Sequence, residues 1–171
     1  MGEERGHQAV IVIGLDPGTH DSALVVWDGE MVRKHFTLPN TEVREALRAM
    51  NGGGVLAIEK IESYGMAVGK ETFRTVFWSG RFAEVWNGDA ASDQFVEVTR
   101  REVKLHICGH ARATDSNIRQ ALIDRFGKPG TKKDPGLLYG VKGHEYAALA
   151  VAVTHHDQHA NDIRPNVVSE F

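Results

Sequence analysis

The sequence predicts an α/β domain built on a mixed central sheet with flanking helices. Three observations carry that expectation. Two short apolar runs, Ile11-Val12-Ile13-Gly14-Leu15-Asp16 and Gly54-Val55-Leu56-Ala57-Ile58-Glu59, have the length and branched side chains of buried strands. The first is followed by two more strand-like segments at hairpin spacing, which implies antiparallel pairing. From residue 41 onward, helical periods alternate with strands, which implies parallel pairing.

The elements follow in order. Strands over 9–16 and 22–27 are separated by Pro17-Gly18 and a short polar stretch. A third, 30–38, follows the turn signal Asp28-Gly29. Pro39-Asn40-Thr41 opens a helix over 41–50, and Asn51-Gly52-Gly53-Gly54 stops it. The Glu59 strand comes next, then a loop to Gly69 and a helix over 70–87. At 100° per residue this helix has two apolar stripes. Phe73, Val76, Phe77, Gly80 and Ala83 form one, and Trp78, Phe82, Val85 and Trp86 the opposite one. A helix on a sheet needs one stripe for the sheet, so the second needs another cover, either a helix of the same domain or a second subunit. The tryptophan-bearing stripe is the expected dimer interface. A strand over 94–99, a basic stretch over 100–112 with no assigned structure, a helix over 115–126, a basic Pro/Gly loop over 128–136 and an Ala/Val-rich helix over 142–155 complete the chain. The expected organisation is a flexible N-terminus (1–8), one domain (9–157) and a tail (158–171).

With 171 residues, 42% apolar and 25% charged, the chain has the composition of a globular protein with a real core. No apolar run approaches the roughly 20 residues of a membrane span. Residues 1–8 are polar and do not read as a secretory signal. One cysteine, Cys108, excludes an internal disulfide and suits the cytoplasm. The net charge of −3 is unevenly spread. Between Glu97 and Lys142 ten basic residues face five acidic ones, so a basic segment sits on an acidic remainder. That pattern suits phosphate binding, as it suits a solvated surface.

The chemistry is concentrated at strand ends. Asp16 and Glu59 each close an apolar strand, where a rigid backbone aims a carboxylate outward. If the two strands are neighbours, the pair can hold hard divalent cations for phosphodiester hydrolysis. His144 opens the last helix, with Ala147, Ala148 and Val151 on its face. Glu145 points about 100° away. His155, His156 and His159 have spacings poorly suited to a metal. Gly65, Gly69 and Lys70 lack the spacing of a phosphate loop. Tyr64, in a glycine-flanked loop, offers a ring for an unpaired base.

Ile13-Gly14-Leu15-Asp16-Pro17-Gly18, Ala57-Ile58-Glu59, Arg101-Glu102-Val103-Lys104 and Ala148-Leu149-Ala150-Val151-Ala152-Val153-Thr154-His155 together resemble, in order, RuvC-type Holliday-junction resolvases. The resemblance runs from about residue 10 to 155. Actin-like ATPases share the first motif, but their fold needs two such domains. Ser63–Lys70 and Lys132–Gly136 are closer to phage-encoded relatives. The resemblance implies an RNase H-like fold, a homodimer located in the cytoplasm, and nicking of four-way DNA by two Mg²⁺ or Mn²⁺ ions per site. It places Asp16 and Glu59 on the catalytic, metal-binding acids and His144 on a position held by Asp or His. Candidate DNA contacts are Tyr64, Lys70, Arg100, Arg101, Lys104, Arg112, Lys132 and Lys133. The fourth acid of cellular members falls on Ala147. Three readings follow: a three-ligand site, substitution by a neighbour such as Glu145, or an inactivated chain that binds junctions without cutting. A less selective nuclease acting on flaps and forks is a further alternative.

Overall fold

The computed structural model describes residues 10–88 and 94–159. Five strands form one sheet: β1 (Val12–Asp16), β2 (Asp21–Trp27), β3 (Val32–Pro39), β4 (Val55–Lys60) and β5 (Phe95–Thr99). Their order is β3-β2-β1-β4-β5. β1, β2 and β3 pair antiparallel as a meander, while β4 and β5 add in parallel. Five helices flank the sheet: α1 (Asn40–Met50), α2 (Lys70–Asn87), α3 (Arg100–Cys108), α4 (Asp115–Phe126) and α5 (Glu145–His159). This is the mixed α/β architecture expected, with the RNase H-like arrangement.

The alternation of strand side chains divides the core in two. Ile13 and Leu15 of β1 and Leu56 and Ile58 of β4 face Val43 and Leu47 of α1 and Trp78, Phe82 and Trp86 of α2. Val12 and Ala57 face the other way, towards α3, α4 and α5. Asp16 and Glu59 are in phase with Val12 and Ala57. Both therefore turn to the α5 side of the sheet.

α5 packs tightly there because its residues are small. A Cβ added at Gly14 would lie 2.1 Å from the Ala148 carbonyl oxygen and 2.9 Å from Ala152 Cβ. Glycine in mid-strand is what lets the helix backbone settle onto β1. Ala148 to Val153 are fully buried.

One expected helix boundary needs correction, and one stretch left unassigned gains a structure. The basic stretch after residue 99 contains a helix, α3, opened by a capping box. The Thr99 side chain accepts from the Glu102 N–H while Glu102 accepts from the Thr99 N–H. α5 begins at Glu145, leaving His144 just ahead of it, and continues to His159 rather than ending at residue 155. Residues 1–9 and 160–171, which include the expected N-terminal arm and most of the expected tail, lie outside the described residues.

The largest correction concerns α2. Trp78, Phe82 and Trp86 are buried within the chain's own core, Trp86 donating its indole N–H to the Gln94 carbonyl at 2.9 Å. Val85 packs at the edge of the same cluster. This stripe faces the sheet and cannot be a subunit interface. Burying such side chains stabilises the fold by roughly 1.5–3 kcal/mol each, so polar residues here would unfold the chain. The stripe left without a cover is the opposite one: Phe73, Val76 and Phe77 are 65, 47 and 63% exposed.

Candidate active site

β1 and β4 are neighbours in register, with Leu15 opposite Ile58, so the next residues, Asp16 and Glu59, emerge side by side. The turn after Asp16 is held by two buried polar side chains. Ser22 Oγ accepts from the Gly18 N–H at 3.0 Å and donates to Asn40 Oδ1 at 2.6 Å, and Asn40 Nδ2 donates to the Gly18 carbonyl at 2.9 Å. In the sequence Asn40 reads only as part of a helix start, and Ser22 carries no motif. The alternation of β2, which turns Ser22 inward, was the available signal.

His144 reaches this point from the start of α5, its Nδ1 3.0 Å from Asp16 Oδ2. The sheet end and the helix end meet because Gly14 lets α5 lie on β1. Glu59 is nearly buried, its side chain 6% exposed, and Arg100 Nη1 donates to its Oε1 at 2.8 Å. Arg100 also bonds Asp115 through Nη2. The site thus comprises two carboxylates, an imidazole and an arginine anchored outside by a third carboxylate.

The electrostatics mark Asp16 as the strained member. Burial, and then the charge of Glu59, push its pKa up from 3.8 to about 7, against the opposing pull of His144 and Arg100. Two hard carboxylates with an imidazole are a fitting donor set for Mg²⁺ or Mn²⁺. A divalent cation between the acids would relieve the repulsion that raises Asp16. Among the described residues, no three His, Cys, Asp or Glu side chains are already drawn together as a ready metal cage.

Neither a protein-family model nor a curated protein sequence matches this chain. Solved structures do. RuvC of Thermus thermophilus superposes with a TM-score of 0.60 at 19% identity, covering 90% of this chain and 96% of that one. The same organism's RuvC in complex with a Holliday junction substrate gives 0.64 at 17% identity, covering 85% and 92%. The chain has a RuvC-like fold. The paired acids of this RuvC-like sheet lie at the ends of its central strands, on the face that α5 covers.

The other expected residues are distributed unevenly. Tyr64, which has a positive φ of 49°, lines a cavity of about 290 Å³ with Arg100, Arg101, Lys104 and Ala111. Lys70, Arg112, Lys132 and Lys133 are exposed but do not line this cavity. Arg100 differs from the expectation of a free phosphate contact, since both guanidinium ends are taken by carboxylates.

Ala147 lines a cavity of about 380 Å³ with His144 and Asp115. Glu145 does not line this cavity. It is buried on another side, accepting from the Lys142 N–H at 3.1 Å and lying 2.8 Å from His35 Nδ1. In the C-terminal histidine group, the rings of His155 and His159 lie with centroids 4.2 Å apart. Burial, and then His159, depress the pKa of His155 to about 4. No helix among the described residues is long and apolar enough to cross a membrane.

Proposed function

We propose that this chain is a structure-selective DNA endonuclease that resolves four-way (Holliday) or branched DNA by metal-dependent phosphodiester hydrolysis. The observation carrying the reading is the convergence of Asp16, Glu59 and His144 at one end of a RuvC-like sheet. Two Mg²⁺ or Mn²⁺ ions would supply charge for the attacking and leaving oxygens of the phosphodiester. Asp16, between Glu59 and His144, would hold both ions, and Glu59 one. His144 would hold the other or orient the attacking water. Tyr64, Arg101 and Lys104 would take the backbone and an unpaired base beside the branch. The sequence of 63–70 and 132–136 favours a phage-like branch of the family, acting in the cytoplasm. Cleavage of matched four-way, flap and linear DNAs with Mg²⁺ or Mn²⁺ tests the reading. Preference for the four-way junction supports it, and equal cutting of all three replaces it with a general nuclease.

Ala147 favours one second reading, a junction-binding protein with impaired catalysis. Tight junction binding without nicking in Mn²⁺ would select it.

A homodimer is part of the proposal, through the face of α2 opposite the one expected. Phe73, Val76 and Phe77 form an exposed apolar stripe, and among the described residues no other element comes within 4 Å of a Cβ placed at Gly80. Changing Phe73 and Phe77 together to serine is expected to give a folded monomer that nicks single strands without coupling the two cuts. Sedimentation and supercoiled-cruciform cleavage check this. A wild-type monomer at micromolar concentration contradicts it.

Affinity for junctions should fall steeply with salt as counterions are released. Replacing Lys132 and Lys133 with glutamine is expected to lower the slope of log K against log salt by up to about two. An unchanged slope would place this loop away from DNA.

A further inference from the structure

Arg100 and Asp115 are the first residues of α3 and α4, each just past a capping box. A cation in a first helical turn opposes the helix dipole, whereas Asp115 suits its place. Arg100 is held there by its two carboxylate partners, which differ in setting. Glu59 is inside, its side chain 6% exposed, and Asp115 is outside, 75% exposed. The guanidinium lies between them with 38% of its side chain exposed.

We propose that Arg100 is an exchangeable counter-cation of the carboxylate site: it neutralises Glu59 when no metal is bound and is passed outward to Asp115 when a divalent cation takes Glu59. The proposal rests on the metal-dependent reading above. Its basis is charge. Asp16 and Glu59 emerge side by side, and Arg100 supplies the positive charge that bonds the pair's buried member. Guanidinium does not lose its proton in proteins, so its charge can leave Glu59 only if the side chain moves. A divalent cation and Arg100 on the same buried carboxylate would repel each other at close range. Asp115 already holds the other end of the guanidinium. Arg100 lines a cavity with Tyr64 and Lys104, and Asp115 lines the neighbouring one with His144 and Ala147. An acid at position 147 would crowd a further negative charge into that cavity, and alanine does not.

Titration calorimetry with Mn²⁺ alone, paired with thermal unfolding with and without Mn²⁺, tests the exchange in wild type, Arg100→Ala, Asp115→Asn and Asp16→Asn. Arg100→Ala is expected to melt lower than wild type without metal, yet to bind Mn²⁺ about tenfold tighter and gain more from it in melting temperature. A residue that merely props the fold would lower melting without tightening metal binding. Asp115→Asn, which leaves Arg100 wholly on Glu59, is expected to bind Mn²⁺ several-fold more weakly. Arg100→Ala binding no tighter than wild type overturns the proposal. If Arg100→Ala does not fold, unchanged or tighter binding by Asp115→Asn overturns it. Wild-type binding that is lost in Asp16→Asn but indifferent to Arg100 and Asp115 removes the exchange and keeps the metal site. No Mn²⁺ binding by wild type removes both.

Discussion

Replacing Asp16 with asparagine is expected to abolish cleavage, leave junction binding nearly intact and make the metal-free protein more stable at neutral pH. Loss of cleavage follows from loss of a carboxylate ligand with no change in bulk. The gain in stability follows from the burial of Asp16 beside Glu59. Its pKa in the folded chain is about 7, against 3.8 as the ordinary value. Between these values the folded chain keeps a proton that the unfolded chain has lost. The stability this supplies is fully present below pH 3.8 and drains away as pH rises to about 7, by roughly 1.4 kcal/mol per unit. The whole loss is on the order of a few kcal/mol, and asparagine is spared it. Melting curves of metal-free protein at pH 5 and pH 8 should therefore lie closer together for the two forms at the lower pH and further apart at the higher. Mg²⁺ should then raise the wild type and not the variant. Equal melting at pH 8 would mean that Asp16 is unstrained.

Gly14→Ala is expected to have the largest effect among substitutions outside the site. The added Cβ would meet the Ala148 carbonyl oxygen at 2.1 Å, and a helix backbone cannot rotate away as a side chain can. Either β1 bends or α5 lifts. Overpacking of this kind costs about 1–3 kcal/mol. The consequence for function is larger, because β1 carries Asp16 and the residue leading into α5, His144, lies against it. A displacement of about 1 Å between catalytic groups can cost 100-fold in rate. A folded Gly14→Ala protein should thus show a lower melting temperature and a nicking rate reduced by about two orders of magnitude. Normal nicking well below the melting temperature would show that the seating of α5 on β1 does not set the site.

The acids at the strand ends were legible because a strand ending in a carboxylate is a local pattern, and the phase with Val12 and Ala57 turns both to one face. His144 was legible through the resemblance, although its contact with Asp16 depends on Gly14, whose role appears only once a helix lies over it. The faces of α2 were not legible. Both stripes are apolar, and choosing between them needs the shape of the space above Ile13, Leu15 and Ile58, which Trp78, Phe82 and Trp86 fill. α3 had a local signal in Thr99-x-x-Glu102, hidden because its residues are mostly polar and charged. The link from Glu59 through Arg100 to Asp115 joins three segments distant in sequence, so no local pattern reveals it.

The most direct measurement of the central claim is cleavage of a synthetic four-way junction by wild type and Asp16→Asn, with strand-specific labels and saturating Mg²⁺ or Mn²⁺. Symmetric paired nicks by the wild type alone, with both proteins bound to the junction, are the expected result. No nicking by either protein, or equal nicking by both, would contradict the assignment of a metal-dependent junction nuclease centred on Asp16.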